Sequence, residues 1–322
     1  CHVAPTATQP KLYAPIAALP RSPPDSPSWN GLTAAIVGVT NLSPGQNPVV
    51  TFTLADRDGV PSPLGSPTPA TDAASPVPRA LERVALTLSG PTAPDYLTSN
   101  AVAATGALTA PVTETVPLTT AADGSGRFRY TFAAAVPASA TGTWSVALEA
   151  RRRATATHYL TGSDAFPWPG TGEQVTEWSQ NAVVLVDTAA GASGAGSPVP
   201  RREVVEQARC EACHQRLSLH GGLRHDVHYC VMCHTADRTD RAQRPKGADG
   251  NVVLASTWDG LEERSVQFKV MVHRIHTGAR LGSAELSGIE PFVIYGFGGT
   301  PYFFDEVEFP GDLRDCRLCH AG

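Results

Sequence analysis

Six of the seven cysteines of this 322-residue chain stand in three C-x-x-C pairs, Cys210/Cys213, Cys230/Cys233 and Cys316/Cys319. Each pair is followed at once by a histidine: His214, His234 and His320. No other feature restricts the chain as tightly, because paired thiols beside an imidazole commit a segment to a metal ion or a cofactor. Two chemistries compete. The first two pairs fit C-x2-C-x16-C-x2-C, a zinc-ribbon spacing. A closed tetrahedral zinc site takes four ligands, which leaves Cys316 and Cys319 without a second pair. The adjoining histidines favour the other chemistry, since ten histidines in 322 residues would rarely fall there three times by chance. C-x-x-C-H is the attachment signature of a c-type haem. Two thiols one helical turn apart reach the two vinyl groups of one porphyrin edge, and the next imidazole is held over the iron. Three motifs predict three covalently attached c-type haems. A covalent porphyrin is also a large apolar body that stands in for a side-chain core.

The remaining histidines decide what such irons can do. An iron with imidazole on one side only is open to small molecules, whereas one closed by two imidazoles is suited to moving electrons. Five candidates for the second side lie nearby: His220, His225, His228, His273 and His276. In "FKVMVHRIHTG" (268–278), His273 and His276 are three residues apart, so on a helix their Cβ atoms share a face about 5–6 Å apart. They cannot take opposite sides of one porphyrin and are expected to ligate two different irons. His220 precedes two glycines, a turn that reverses the chain beside a flat ring, and is the third expected distal ligand. His225 and His228 are reserves, with hydrogen bonding to propionates or solvent as their alternative role. Arg224 and Arg274 suit propionates. His158 reads as an ordinary loop histidine.

Composition divides the chain. Ala, Pro, Gly, Ser, Thr and Val dominate up to about residue 198. Residues 1–30 read as a Pro-rich extended arm. Strand signals follow at 32–40, 48–56, 83–90, 126–136, 142–152 and 181–187, rich in Val, Thr and aromatics and bounded by Gly, Pro, Asn or Asp. They predict an all-β domain over 31–187, an antiparallel sandwich or split barrel. A linker is expected at 188–200, then a mostly irregular, haem-packed domain over 201–322 with short helices. One helix should lead into Cys210, and segments 290–299 and 302–309 should form a hairpin or covering loops. The net charge of −5 gives no basic surface for nucleic acid. No run of 18 apolar residues crosses a membrane. Cys1, unpaired and first, is the residue that lipoprotein processing leaves bearing lipid, which would be the chain's membrane attachment; a trimmed chain is the alternative. With no cysteine left to pair, structural disulfides are not expected.

"CEACHQRLSLHGGLRHDVHYCVMCH", "FKVMVHRIHTG" and "VEFPGDLRDCRLCH", with "PVVTFTLADRDGVP" and "LTLSGPTAPDYL" before them, resemble the outer-surface multihaem cytochromes of metal-reducing bacteria, the OmcA/MtrC family. The resemblance covers most of residues 30–322. It implies bis-histidine c-haems in a conducting chain on the cell surface or outer membrane, or secreted, rather than in the periplasm. Electrons would pass to minerals, soluble acceptors or other cytochromes. It also supports His220, His273 and His276 as the distal set. The family carries ten haems in two groups, each with its own β domain; three motifs here suggest a short member or a fragment. The family's CxxxC disulfide is absent.

Three functional readings follow. The first is an electron carrier with all irons closed, whose propionates add roughly −6 of charge and favour cationic or metal-bearing partners. In it, subunits associate head to tail as an open filament, with His2 near a neighbour's haem. The second is a haem-dependent terminal reductase with one open iron. The third is a zinc-dependent binding module.

Overall fold

The computed structural model describes residues 31–56, 58–62, 64, 81–93, 101–102, 108–109, 111–155, 174–189, 197–214, 216–281 and 292–320. Cys1, His2, His158 and the Pro-rich arm lie outside the described residues. The chain forms two compact units. Among the described residues, one contains those from 31 to 202 together with Leu217–Met232; the other contains Glu203–Arg216 and Cys233–His320.

The first unit is built of antiparallel strands. β1 (Thr33–Thr40), β2 (Val49–Ala55) and β7 (Phe128–Thr131) form a three-stranded sheet in the order β1-β2-β7. The second sheet runs β10-β8-β3-β6, from β3 (Arg83–Ser89), β6 (Val112–Thr115), β8 (Thr143–Thr155) and β10 (Ala182–Asp187), with β9 (Gln174–Trp178) on the far half of β8. β4 (Ala101–Val102) and β5 (Leu108–Thr109) pair separately. Alternation in β2 turns Val50, Phe52 and Leu54 inward, as a strand with one buried face requires. They join Val84, Leu86 and Leu88 of β3 and Trp144, Val146 and Leu148 of β8 in one cluster shared by both sheets, which makes the unit a sandwich. Phe52 stacks on Phe128 with ring centroids 5.5 Å apart. Burying each such side chain contributes about 1.5–3 kcal/mol.

β3 departs from simple alternation: six of its seven residues are buried. The face away from the core carries Ala85, Thr87 and Ser89, in register with Glu149, Ala147 and Ser145 of β8. Segment Leu217–Met232 covers it. Ser89 Oγ donates to the Met232 carbonyl (3.0 Å), and Thr87 Oγ1 lies 2.7 Å from the Tyr229 hydroxyl. A segment of the cysteine-rich region therefore belongs to the strand-rich unit.

The second unit has α1 (Gln207–His214), α3 (Phe268–His276), α4 (Gly278–Leu281) and a hairpin of β11 (Val293–Tyr295) and β12 (Pro301–Phe303). α2 (Val227–Cys233) lies where the chain passes from one unit to the other. α1 starts at Gln207 and leads into Cys210. Buried Arg244 bonds Asp240 and Asp259, and its guanidinium stands 4.8 Å above the Tyr295 ring. Among the described residues no helix is long and apolar enough to cross a membrane.

Candidate haem-binding site

In the second unit the first and third motifs are knitted together. Val205 bridges His320, and Arg209 Nη1 donates to the Arg317 carbonyl (2.6 Å). Burial raises the Cys210 thiol above the ordinary cysteine value, and nearby Cys319 adds to the rise. Burial likewise raises Cys319, with Cys213 the next cause. Thiols more than a hundred residues apart in sequence thus share one neighbourhood. Cys210, Cys213, Cys316 and Cys319 carry free thiols. An open hollow beside Cys316 is lined by Asp312, Arg314, Asp315 and Arg317.

α3 supplies the opposite imidazoles. His276 faces His214, with ring centroids 6.0 Å apart and planes at 82°. His273 faces His320 at 5.8 Å and 20°. Burial, and then the closeness of His276, lowers the pKa of His214 and favours its neutral form. Nδ1 of His273 donates to the Lys269 carbonyl (2.6 Å), that of His276 to Val272 (2.8 Å), and that of His320 to Val204 (3.2 Å). A carbonyl only accepts, so the proton is on Nδ1 and the Nε2 lone pair is available to a metal. His234 follows the same pattern through the Val266 carbonyl (2.7 Å), and Phe268 N–H donates back to the His234 carbonyl (3.0 Å). This fixes His234 at the start of α3.

The other candidates lie in the strand-rich unit. His225 is fully buried: Nδ1 donates to the Leu217 carbonyl (2.7 Å), its N–H donates to Asn181 Oδ1 (2.8 Å), and its ring stacks on Trp178 at 5.8 Å. His220 and His228 are exposed. His220 and the next two glycines all have positive φ (52°, 71° and 87°), and a Cβ on Gly222 would meet the Trp178 ring at 3.0 Å. Glycine is therefore required for the turn and for its close approach. Arg224 bonds Glu149 and lies over the Tyr229 ring, while Arg274 lies over Phe292.

The thiol pairs and the imidazoles near them fit the donor set of a c-type haem. Among the described residues no group of three or more His, Cys, Asp or Glu is placed to hold a metal ion. Instead, the rings come in two pairs, His214 with His276 and His273 with His320, with centroids 6.0 and 5.8 Å apart, and each pair could hold one haem iron. Motif spacing reveals the thiols and the histidines that follow them. Nothing in the sequence marks the carbonyls of Val204, Val266, Lys269 and Val272, or the Asn181 and Glu149 contacts that seat segment 217–232.

Residues 202–322 match the family described as outer membrane cytochrome MtrC/MtrF-like, domains II/IV. The chain is 31% identical over 179 residues to the multihaem cytochrome MtrC of Shewanella baltica (strain OS185), an alignment covering 55% of this chain and 22% of that protein. It is also similar to the outer membrane decahaem cytochrome OmcA in its crystal structure, over 91% of this chain and 40% of that one, at 20% identity and a TM-score of 0.48.

Proposed function

We propose that this chain, whose residues 202–322 belong to the MtrC/MtrF-like outer membrane cytochromes, is a cell-surface multihaem c-type cytochrome that carries electrons through irons closed by two histidines. The single observation that carries this reading is that the two imidazoles of α3, His276 and His273, each meet the ring of a motif histidine, His214 and His320, with centroids about 6 Å apart. Cys210 and Cys213 would hold one haem with His214 and His276, and Cys316 and Cys319 another with His320 and His273. Cys230, Cys233 and His234 would hold the third, with His220 as distal ligand and His228 in reserve. His225, sealed between Trp178, Leu217 and Asn181, is assigned a structural role. When bound, each haem supplies one-electron exchange between ferric and ferrous iron; the chain fixes the ligands, their tautomers and their orientation.

Partners under this reading are other redox cytochromes and extracellular metal oxides or soluble acceptors. Export to the cell surface, lipid on Cys1, and head-to-tail association through His2 belong to the same proposal. Sedimentation of the wild-type chain against His2→Ala checks the association.

Intact-mass spectrometry and the visible spectrum of the native protein test the core of the proposal. The expected result is three covalent haems and a wholly low-spin ferric spectrum. A high-spin component that binds cyanide would replace it with the terminal reductase reading. Zinc without iron would overturn both.

A further inference from the structure

We infer that the two irons served by α3 sit in electronically unequal sites, the His214/His276 site being the more easily reduced, and that Phe309 sets this inequality. The inference rests on these residues being axial pairs, as proposed above. The rings of His214 and His276 cross at 82°, whereas those of His273 and His320 lie at 20°.

An imidazole's filled π orbital stands normal to its ring and mixes with the iron d orbital lying in the same direction. Two near-parallel rings raise the same d orbital and split the set widely. Crossed rings raise one orbital each and leave the two nearly level. Ferric low-spin iron lacks one electron in this set. At the near-parallel site the vacancy falls in the strongly raised orbital, which stabilises the ferric state. At the crossed site that gain is smaller. An iron held between His214 and His276 would therefore be reduced before one held between His273 and His320.

The angle is held, not accidental. His273 and His276 both donate from Nδ1 to the carbonyl four residues back on α3, which tethers each ring to the helix. His320 is turned by the Val204 carbonyl. At the crossed site an additional ring intervenes: Phe309 meets His276 edge-on, with centroids 5.8 Å apart at 79°. Gly311 admits it, since a Cβ there would lie 3.1 Å from the Phe309 ring and 2.8 Å from Leu318. Phe309 touches neither thiol nor iron; it is a positioning residue acting through His276.

Electron paramagnetic resonance of the fully oxidised holo-protein, repeated during stepwise reduction with dithionite, tests the inference. Each ferric iron takes one electron from the titrant. Beside the signal of the third haem, which neither α3 variant should remove, the expected spectrum contains one broad, strongly anisotropic low-spin feature from the crossed site and a three-line rhombic set from the near-parallel site. His276→Ala should remove the broad feature and His273→Ala the rhombic set, and the broad feature should disappear first on reduction. Phe309→Ala and Phe309→Leu should shift the broad feature while leaving the rhombic set in place. The inference is overturned if the broad feature is absent, if it follows His273, if it is reduced last, or if both Phe309 variants leave it unmoved. Loss of covalent haem or of low-spin iron in the wild type would instead overturn the underlying proposal, so the two failures are distinguishable.

Discussion

Tyr229 precedes Cys230 of the second C-x-x-C pair and reaches into the sheet, so its hydroxyl measures how firmly the strand-rich unit grips segment 217–232. The hydroxyl is fully buried, 2.7 Å from Thr87 Oγ1, and donates to Glu149 Oε2 (3.1 Å). Glu149 is also fully buried and accepts from Arg83 Nη2 (3.1 Å) and Arg224 Nε (3.0 Å). A buried hydrogen bond to a charged group is worth about 1.5–3 kcal/mol. Thr87 keeps Thr113 at 2.8 Å, and Glu149 keeps both arginines. Tyr229→Phe should therefore cost about 2 kcal/mol. Glu149→Gln removes the counter-charge of two arginines and should cost about 3–5 kcal/mol. The two changes share a bond, so the double variant should lose less than the sum by about 1 kcal/mol or more. Urea unfolding of the holo-protein, followed by the fluorescence of Trp144 and Trp178, gives each value. A Tyr229→Phe loss below about 0.5 kcal/mol, or strict additivity of the pair, would refute the claim that this network anchors the segment.

Two further outcomes are expected from the second unit. Burial pushes the Asp259 carboxyl up, but hydrogen bonds from Arg244 and Arg264 outweigh it and pull the pKa down to about 2. A depressed acid contributes fully above its unfolded value of about 3.9, so on the order of 2 kcal/mol should be lost as pH falls from about 4 towards 2. Asp259→Asn should abolish that acid step, and the signal of neighbouring Trp258 reports it. Gly278 follows α3, and a Cβ on it would lie 1.6 Å from the Phe304 carbonyl oxygen. Gly278→Ala must displace backbone beside His276 at a cost of about 2 kcal/mol, visible as a lower melting temperature with a rising high-spin fraction.

The sequence was most legible where a local pattern meets a local need. Five strand signals, at 32–40, 48–56, 83–90, 142–152 and 181–187, match β1, β2, β3, β8 and β10 closely, because alternating Val, Thr and aromatic residues suit a half-buried pleat. The signal at 126–136 contracts to β7, since Phe132 onward leaves the ladder. β6 and β9 escaped notice. β9 adds to the far half of β8, where buried Arg152 pairs with Glu177, and a charged pair hidden between strands looks like surface in a linear reading. Spacing on a helix puts His273 and His276 on one face, but does not tell that their rings lie near those of His320 and His214. That depends on Val205 meeting His320, a contact across more than a hundred residues that no local pattern encodes.

The second unit also explains why its chemistry and its folding cannot be separated. Among its described residues the fully buried apolar side chains are Phe292, Val293 and Tyr295, whereas the strand-rich unit buries some two dozen. At about 1.5–3 kcal/mol each, three such residues fall far short of the roughly 1–2 kcal/mol that each ordered residue costs in backbone entropy. The Arg244 cluster adds specificity rather than net stability, because burying its charges costs nearly what their pairing returns. Under the proposed reading, covalent porphyrins would complete the interior. The thiols of Cys213, Cys316 and Cys319 are exposed and the imidazoles of His276 and His320 half covered. α3 is central to this arrangement: Val266 at its entrance holds His234, its body presents His273 to His320, and its last residue faces His214. One short helix thereby meets all three motif histidines, and the porphyrins that fix its ligands would also be the core that holds it in place.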